Sequence, residues 1–471
     1  MADFADFVKT LETKAINEVI MPESQSQQQS QSRPLASIEV GGFPIVLKKQ
    51  FQIKPSIKPI KLLLISTHIN QGSGYAKVSH GLIRQLATHA GLQIVHFGIQ
   101  ASTTVDFKRT YPSNVKVISA VEKGKPEEQG FGYSEIANVI RSEEPHVVMI
   151  YNDIGICVKY LEKIAPLRMG AKGLEFQIWL YLDQVYECQH PQYLEIVQRE
   201  TDRFFCFTQG WRDVLKNQGI TRPIDVLQHG FDGDLFPVID RAVARASNGI
   251  PKDVFLFFSG NRNQPRKRLD LLIMAFAELI LAHPMKSIFL LCVCDKGDKG
   301  GFPLYEIFER EIRLRGIAPE LFANRLIVTP KDMSYLDAEI GNLYQIADVG
   351  VSTADGEGFG LCSFEQMGLG IPQVLSNVVG HRDYCNQDNA ILVDPHLRAY
   401  LPLCTSILGG ETKTVNPSAF AKAMEEYVLN PDLVRQKGLA AKKTVEDYTW
   451  QKVTAMLQKR LTQVQEDLYT A

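Results

Sequence analysis

An alternation of apolar runs with helical patterns constrains the fold of this 471-residue chain more than any other feature of its sequence. Runs such as KLLLIS at 61–66 have the length and composition of buried strands, and helical patterns separate most of them. This alternation predicts parallel sheets with helices on both faces. The predicted strands cover residues 61–66, 93–97, 115–119, 147–151, 176–182, 204–207, 224–228, 254–259, 287–292, 326–328, 349–352, 373–375 and 390–393.

The strand series restarts after residue 251, and this restart predicts two doubly wound α/β domains, Rossmann-like in their alternation, that face a central cleft. We expect an N-terminal domain over 36–235 and a C-terminal domain over 236–448. A last helical stretch within 449–471 is expected to pack back on the N-terminal domain. Residues 1–35 are expected to be an extension with a short amphipathic helix and a disordered Gln/Ser tether.

Charge and composition exclude several classes of function. The formal net charge is −2 at pH 7, so the chain lacks the basic field that nucleic-acid binding requires. No apolar stretch approaches the roughly 18 residues that span a bilayer, and we expect no secretory signal. The eight cysteines are scattered, without a C-x-x-C pair, which predicts free thiols in a cytoplasmic protein. Peripheral contact with a membrane stays open.

Two glutamates flank a glycine turn that follows a predicted strand. Residues 357–365 read EGFGLCSFE, and a helix beginning near Leu361 would direct its free N–H groups at a ligand above the turn. Carboxylates accept hydrogen bonds from hydroxyls, so Glu357 and Glu365 beside an anion site suit a sugar nucleotide. The plainer alternative is that acidic residues near a helix start only complement the helix dipole.

Four basic residues lie within seven positions after the first strand of the second series: Arg262, Arg266, Lys267 and Arg268. Like charges repel one another unless they face solvent or an anion. A departing nucleoside diphosphate would be stabilised strongly by such a cluster. A solvated basic turn is the alternative, but ligands of open parallel sheets bind outside the carboxyl ends of the strands, where this cluster lies.

Several motifs occur together in an order that resembles a known family. They are HGFD at 229–232, RNQPRK at 262–267, EGFGLCSFE at 357–365 and Gly-Ile-Pro at 370–372. In these motifs the chain resembles a retaining glycosyltransferase of family 4, a group 1 glycosyltransferase with the GT-B fold, over roughly residues 60–455. The resemblance implies transfer of a sugar from a nucleotide-sugar donor to a hydroxyl of a glycan, lipid or protein. It also implies retained anomeric configuration and no metal or other cofactor.

The resemblance implies roles for the residues that match the motifs. Arg262 and Lys267 would bind the donor diphosphate, and Glu365 would hold the ribose hydroxyls. Glu357 would contact the transferred sugar. Further donor-binding positions are Gly74 in the glycine loop of the first domain, the backbone of Gly358, Phe359, Gly360 and Leu361, and a base pocket around 328–335.

One position departs from the family pattern. Many relatives have a histidine just after the strand that reads QIWLYLD here, whereas this chain has Asp183. Asp183 is therefore our candidate for the catalytic polar group, beside Arg262, Lys267 and Glu357. It can also be read as a strand-end aspartate, and Asp153 and His190 are weaker alternates.

Other functions stay open at this stage. A catalytically weak sugar-nucleotide-binding or scaffold protein could keep the same residues, and an epimerase on the same fold would lack only the acceptor. A dinucleotide oxidoreductase is disfavoured, because Gly72-x-Gly74 is followed by Lys77 where a third glycine is needed. The D-x-D sequence at 232–234 lies in the linker between domains, so we expect no metal there.

Overall fold

The computed structural model describes residues 59–169, 173–294, 300–329, 334–401 and 409–470. The predictions for the N-terminal extension at 1–35 fall outside these ranges. Residues 330–333 of the predicted base pocket do so as well.

Seven parallel strands form the first sheet, in the order β3-β2-β1-β4-β5-β6-β7. Every strand of the first predicted series is present, with ends that differ by at most two residues. The central strand β1 is apolar along most of its length because helices cover both faces of the sheet. The strands are β1 (Ile60–Thr67), β2 (Leu92–Ile99), β3 (Val115–Ser119), β4 (Val147–Asp153), β5 (Gln177–Asp183), β6 (Arg203–Cys206) and β7 (Ile224–Val226).

Six parallel strands form the second sheet, in the order β10-β9-β8-β11-β12-β13. They match the second predicted series, so the prediction of two doubly wound parallel-sheet domains is confirmed. The strands are β8 (Phe255–Ser259), β9 (Ile288–Cys292), β10 (Leu326–Val328), β11 (Val349–Ser352), β12 (Gln373–Ser376) and β13 (Ala390–Val393).

Helices connect the strands and cover both sheets. The first begins at Gly74, where the Ser73 hydroxyl caps it by accepting a hydrogen bond from the N–H of Ala76 at 3.4 Å. None of the described helices is both long and apolar enough to cross a membrane. The helices are α1 (Gly74–Leu86), α2 (Ala120–Lys123), α3 (Ile136–Glu143), α4 (Ile154–Ile164), α5 (Pro191–Glu200), α6 (Gln209–Asn217), α7 (Arg241–Ser247), α8 (Leu269–Ala282), α9 (Leu304–Arg313), α10 (Asp337–Ile346), α11 (Leu361–Gly368), α12 (Pro417–Leu429), α13 (Pro431–Val445) and α14 (Trp450–Thr470).

An antiparallel hairpin that the sequence does not predict follows the second sheet. It pairs β14 (Pro395–Leu401) with β15 (Gly410–Val415). Most of β14 is exposed, so it lacks the apolar run that reveals the other strands. The hairpin reaches the first domain, where the N–H of Glu411 donates to the carbonyl of Glu187 at 2.8 Å and the Lys413 ammonium pairs with the Glu187 carboxylate.

The last helix, α14, lies against the first domain. Its buried residues Leu457, Leu461 and Val464 share one apolar core with Ile83 and Leu86 of α1. The guanidinium of Arg460 also pairs with the carboxylate of Asp225 at 2.9 Å. The domain boundaries at 36–235, 236–448 and 449–471 stay predictions.

Candidate functional site

The carboxyl ends of both sheets face one cleft, which encloses a cavity of about 680 Å³. The loops after β1, β5, β8 and β11 contribute to its wall, as expected for open parallel sheets. Nine of the predicted site residues line the cavity: Gly74, Asp183, Arg262, Lys267, Glu357, Gly358, Phe359, Gly360 and Leu361.

The glycine turn after β11 brings the two domains into close contact. A Cβ atom on Gly358 would lie 2.0 Å from Oδ1 of Asp183, so a larger residue there would have to displace the Asp183 carboxylate. Gly360 has a φ of +82°, a left-handed conformation that glycine adopts readily, and α11 begins at the next residue. The first turn of α11 lines the cavity, and the unpaired N–H groups of a helix start therefore lie beside it.

Glu357 is held between two members of the basic cluster. The Lys267 ammonium bonds to Oε1 of Glu357, and Nη1 of Arg266 lies 3.2 Å from Oε2. Glu357 is only 5% exposed. Burial alone would raise the pKa of Glu357, but Lys267 and Arg266 outweigh it and lower the pKa to about 2. Glu357 is therefore ionised near neutral pH, and its carboxylate oxygens can accept hydrogen bonds from hydroxyls.

The four residues of the basic cluster divide into two groups. Arg262, Arg266 and Lys267 line the cavity. Arg262 is exposed, and its guanidinium lies 3.4 Å from the carbonyl of Gly72 on the opposite wall. Arg268 instead pairs with Asp270 at 2.8 Å and is not a cavity residue. Three of the four cations of the cluster thus face the cavity, including Arg266, which sequence reasoning placed in the cluster without giving it a role.

Asp183 and its alternate Asp153 end adjacent strands at the floor of the cleft. The Tyr75 hydroxyl of α1 lies 2.5 Å from Oδ2 of Asp183 and 3.1 Å from Oδ1 of Asp153. Burial and the neighbouring charge of Asp153 raise the pKa of Asp183 to about 7. Oδ1 of Asp183 is buried and has no hydrogen-bond partner among the described residues. His190, the other alternate, is not a cavity residue.

Glu365 lies behind the cavity wall and is held by a cation from the opposite domain. Nζ of Lys77, on α1, lies 2.8 and 2.9 Å from its two carboxylate oxygens. The Tyr344 hydroxyl donates to Oε2 of Glu365 at 2.8 Å. Lys77 and Tyr344 both line the cavity, whereas Glu365 does not. A ribose would therefore have to exchange with Lys77 to reach both oxygens of Glu365.

A buried ion pair also joins the two walls of the cleft. The Arg109 guanidinium donates to both carboxylate oxygens of Asp337, at 2.7 and 2.8 Å. The same guanidinium donates to the carbonyls of Ile69 and Gln71, at 2.8 and 2.9 Å. Sequence reasoning missed this pair, and no local pattern could have revealed it, because the two residues lie 228 positions apart.

Comparison with known proteins identifies a family in the second half of the chain. Residues 240–401 match the family Glycosyl transferases group 1. Over 158 residues the chain is 32% identical to D-inositol 3-phosphate glycosyltransferase 2 of Catenulispora acidiphila, which covers 33% of this chain and 35% of that protein. The chain spans about a third to just over half of the length of the curated relatives it matches.

Solved structures resemble most of the chain. Sucrose-phosphate synthase from Thermosynechococcus elongatus has a TM-score of 0.64 at 16% identity, over 86% of this chain and 99% of that chain. HepE from Anabaena, in complex with UDP and glucose, has a TM-score of 0.62 at 14% identity, over 86% of this chain and 100% of that chain. At such identities the likeness shows the fold alone, and that fold is GT-B, as predicted.

Proposed function

Since residues 240–401 are a group 1 glycosyl transferase domain, we propose that this chain transfers a sugar from a nucleotide-sugar donor to an acceptor hydroxyl. One observation carries the proposal: three cations of the basic cluster, the ionised carboxylate of Glu357 and the start of α11 face a single cavity. This combination offers partners for a diphosphate and for hydroxyls at the same time. A site for a simple anion would have no use for the buried carboxylate.

The donor would lie along the wall formed by the second domain. Arg262, Lys267 and the free N–H groups of Gly358 to Leu361 would bind its diphosphate. Glu357 would accept hydrogen bonds from the transferred sugar, and Glu365 would hold the ribose once Lys77 has withdrawn. The base would lie around 328–335, partly outside the described residues.

In the proposed reaction, the bond between the anomeric carbon and the diphosphate oxygen breaks while the acceptor oxygen bonds to the same carbon. Attack from the same face keeps the anomeric configuration, and the acceptor proton leaves with the departing phosphate oxygen. Negative charge grows on the diphosphate, so Arg262 and Lys267 stabilise the transition state more than the ground state. Oδ1 of Asp183, which has no partner among the described residues, would hydrogen-bond a hydroxyl beside the reacting carbon.

The finer parts of the proposal rest on the family resemblance. They are retention, independence of metal and other cofactors, an acceptor that is a glycan, lipid or protein, and a cytoplasmic location. The site itself is compatible with metal-free transfer, because cationic side chains already face the cavity where a diphosphate would bind. None of the seven described cysteines forms a disulfide, and five are buried, as a reducing compartment would allow.

Product analysis tests the proposal. The protein is incubated with UDP-, GDP- or ADP-glucose and a panel of glycan, lipid and peptide acceptors, with and without EDTA. We expect nucleoside diphosphate release that depends on an acceptor and survives EDTA. Proton NMR should show the anomeric configuration of the donor in the product. Inverted configuration would refute retention, and loss of activity with EDTA would refute metal independence.

The Lys77–Glu365 ion pair favours one alternative, a protein that binds sugar nucleotides without turnover. In that case the nucleotide would bind, but no acceptor would yield a product. An epimerase would instead convert the sugar nucleotide without any acceptor. The same incubations therefore separate all three functions.

A further inference from the structure

A buried histidine from the joint between the domains borders the cavity and has no role so far. His229 is 3% exposed and lines the cavity wall. Its ring packs against Phe207 and Phe359, with ring centroids 4.4 and 4.5 Å away. Tyr181 and Tyr151 complete this aromatic cage at 6.1 and 6.5 Å. The cage combines residues of the first sheet with one residue of the glycine turn, so it belongs to both walls of the cleft.

Neither ring nitrogen of His229 has a hydrogen-bond partner among the described residues. His96 provides an internal comparison, because it is also fully buried. Its Nε2 lies 2.9 Å from Oγ of Ser66, and its Nδ1 lies 2.8 Å from the hydroxyl of Tyr111. Buried polar groups in native proteins are almost always paired in this way, since an unmet donor or acceptor costs stability. A ligand in the cavity that its ring borders can supply the missing partners of His229.

The chemistry of the ring limits what that partner can be. Burial lowers the pKa of His229 to about 3, so the imidazole is neutral and has one donor and one acceptor nitrogen. Hydroxyls both donate and accept, whereas phosphate oxygens only accept and ammonium groups only donate. The surrounding aromatic faces suit the apolar face of a sugar ring. A hydroxyl-bearing ring can pair with both nitrogens and pack on the aromatic faces, whereas a phosphate oxygen can pair with the donor nitrogen alone.

A second unpartnered atom lies close by. Oδ1 of Asp183 is buried and has no partner in the part of the chain that the structure describes, and it is 2.0 Å from where a Cβ on Gly358 would lie. Phe207 lies 3.1 Å from the same point. Asp183 and His229 therefore flank the turn formed by Gly358 and Phe359. Glu357, the proposed partner of the transferred sugar, directly precedes that turn.

We propose that His229 hydrogen-bonds a hydroxyl of the sugar carried by the donor and positions this sugar over the Gly358–Phe359 turn. This inference rests on the proposed function and adds a sugar-recognising residue to it. The nucleoside diphosphate binds elsewhere, so His229 should affect affinity for the intact sugar nucleotide and leave affinity for the free diphosphate unchanged.

The test replaces His229 by phenylalanine, which keeps the aromatic packing and removes both nitrogens. UDP-, GDP- and ADP-glucose are first titrated into the wild type, and the one that binds is then compared with its free nucleoside diphosphate. For His229→Phe we expect about tenfold weaker binding of the sugar nucleotide, unchanged binding of the diphosphate, and an equal or higher melting temperature. His96→Phe, the matched control, should lower the melting temperature because it removes the hydrogen bonds that His96 makes with Ser66 and Tyr111.

A second variant separates hydrogen bonding from packing. His229→Asn packs less well than phenylalanine but restores one donor and one acceptor, so it should bind the sugar nucleotide more tightly than His229→Phe does. Equal affinity of the wild type and His229→Phe for the sugar nucleotide would overturn the inference and leave the proposed function standing. Failure of the wild type to bind any of the three sugar nucleotides would overturn both.

Discussion

The two walls of the cleft differ in how their residues are distributed along the chain. The wall from the second domain takes most of its charged groups from two short segments, 262–267 and 357–365, and Asp337 from a third. Glu365 lies just behind this wall. The wall from the first domain takes Tyr75, Asp183 and His229 from three separate segments. The first arrangement can be recognised in sequence, whereas the second exists only after folding. We propose that the second-domain wall binds the nucleotide and, through Glu357, one side of the sugar. The first-domain wall then recognises the other side of the sugar and the acceptor.

The largest effect expected on the second-domain wall comes from Lys267→Ala. The ammonium would stabilise charge that grows on the departing diphosphate, so turnover should fall by about a hundredfold or more. Arg268→Ala is the matched control, since Arg268 belongs to the same cluster but pairs with Asp270 outside the cavity. Steady-state turnover of the two variants is the measurement. Equal losses in both would contradict a catalytic role for Lys267 that Arg268 does not share.

Asp183→Asn tests the first-domain wall in two ways. Loss of the carboxylate should reduce turnover by tens of fold or more, as removal of a polar group close to the reacting atoms commonly does. The second measurement is the melting temperature at two pH values, followed by circular dichroism or by dye binding.

Asp183→Asn is expected to increase the stability of the fold although it lowers turnover. In the folded protein the pKa of Asp183 is about 7, above the value of about 3.9 for an unfolded chain. The folded state therefore retains a proton between these values, and wild-type stability falls as the pH rises through 7. Asparagine does not ionise, so the variant should gain more in melting temperature at pH 8 than at pH 5. A gain that is the same at both pH values would contradict the raised pKa.

Glu365→Ala should have a smaller effect, confined to donor binding. Loss of the ribose acceptor should weaken the affinity for the nucleoside diphosphate by about tenfold, as expected for charge-assisted hydrogen bonds. A 2′,3′-dideoxy analogue, which lacks the ribose hydroxyls, should bind the variant and the wild type equally. Unchanged affinity for the normal nucleotide in calorimetry would refute the ribose role of Glu365.

The smallest expected effect is an increase in affinity. Lys77 occupies both oxygens of Glu365, so Lys77→Met should free them and tighten nucleoside diphosphate binding by about threefold. The dideoxy analogue should show no such gain. Lys108→Met, which removes an exposed ammonium paired with Asp106, serves as the control. Weaker binding by Lys77→Met would mean that Lys77 contacts the donor directly and does not compete with it.

The sheets could be predicted from sequence because burial on both faces makes their strands continuous apolar runs, as in KLLLIS of β1. The hairpin of β14 and β15 could not, since most of β14 faces solvent and nothing in its local pattern distinguishes it from a loop. The contact of this hairpin with Glu187 depends on tertiary structure alone.

The candidate site likewise has a part that could be predicted from sequence and a part that could not. EGFGLCSFE and RNQPRK are local motifs, and the structure brings most of their charged groups to one cavity. The partner of Glu365 could not be foreseen, because Lys77 lies 288 positions earlier and its position in sequence suggested only a missing glycine. His229 was visible only as part of a linker motif. Its lack of partners is a property of the packed structure.

Above all, we propose that the cavity binds a sugar nucleotide through Lys267 and its neighbours. Calorimetric titration of UDP-, GDP- and ADP-glucose into the wild type, Lys267→Ala and Arg268→Ala measures this binding. We expect at least one of the three to bind to the wild type with one site per chain. The same sugar nucleotide should bind at least tenfold more weakly to Lys267→Ala and with wild-type affinity to Arg268→Ala. No binding of any sugar nucleotide, or equal binding by wild type and Lys267→Ala, would contradict this proposal.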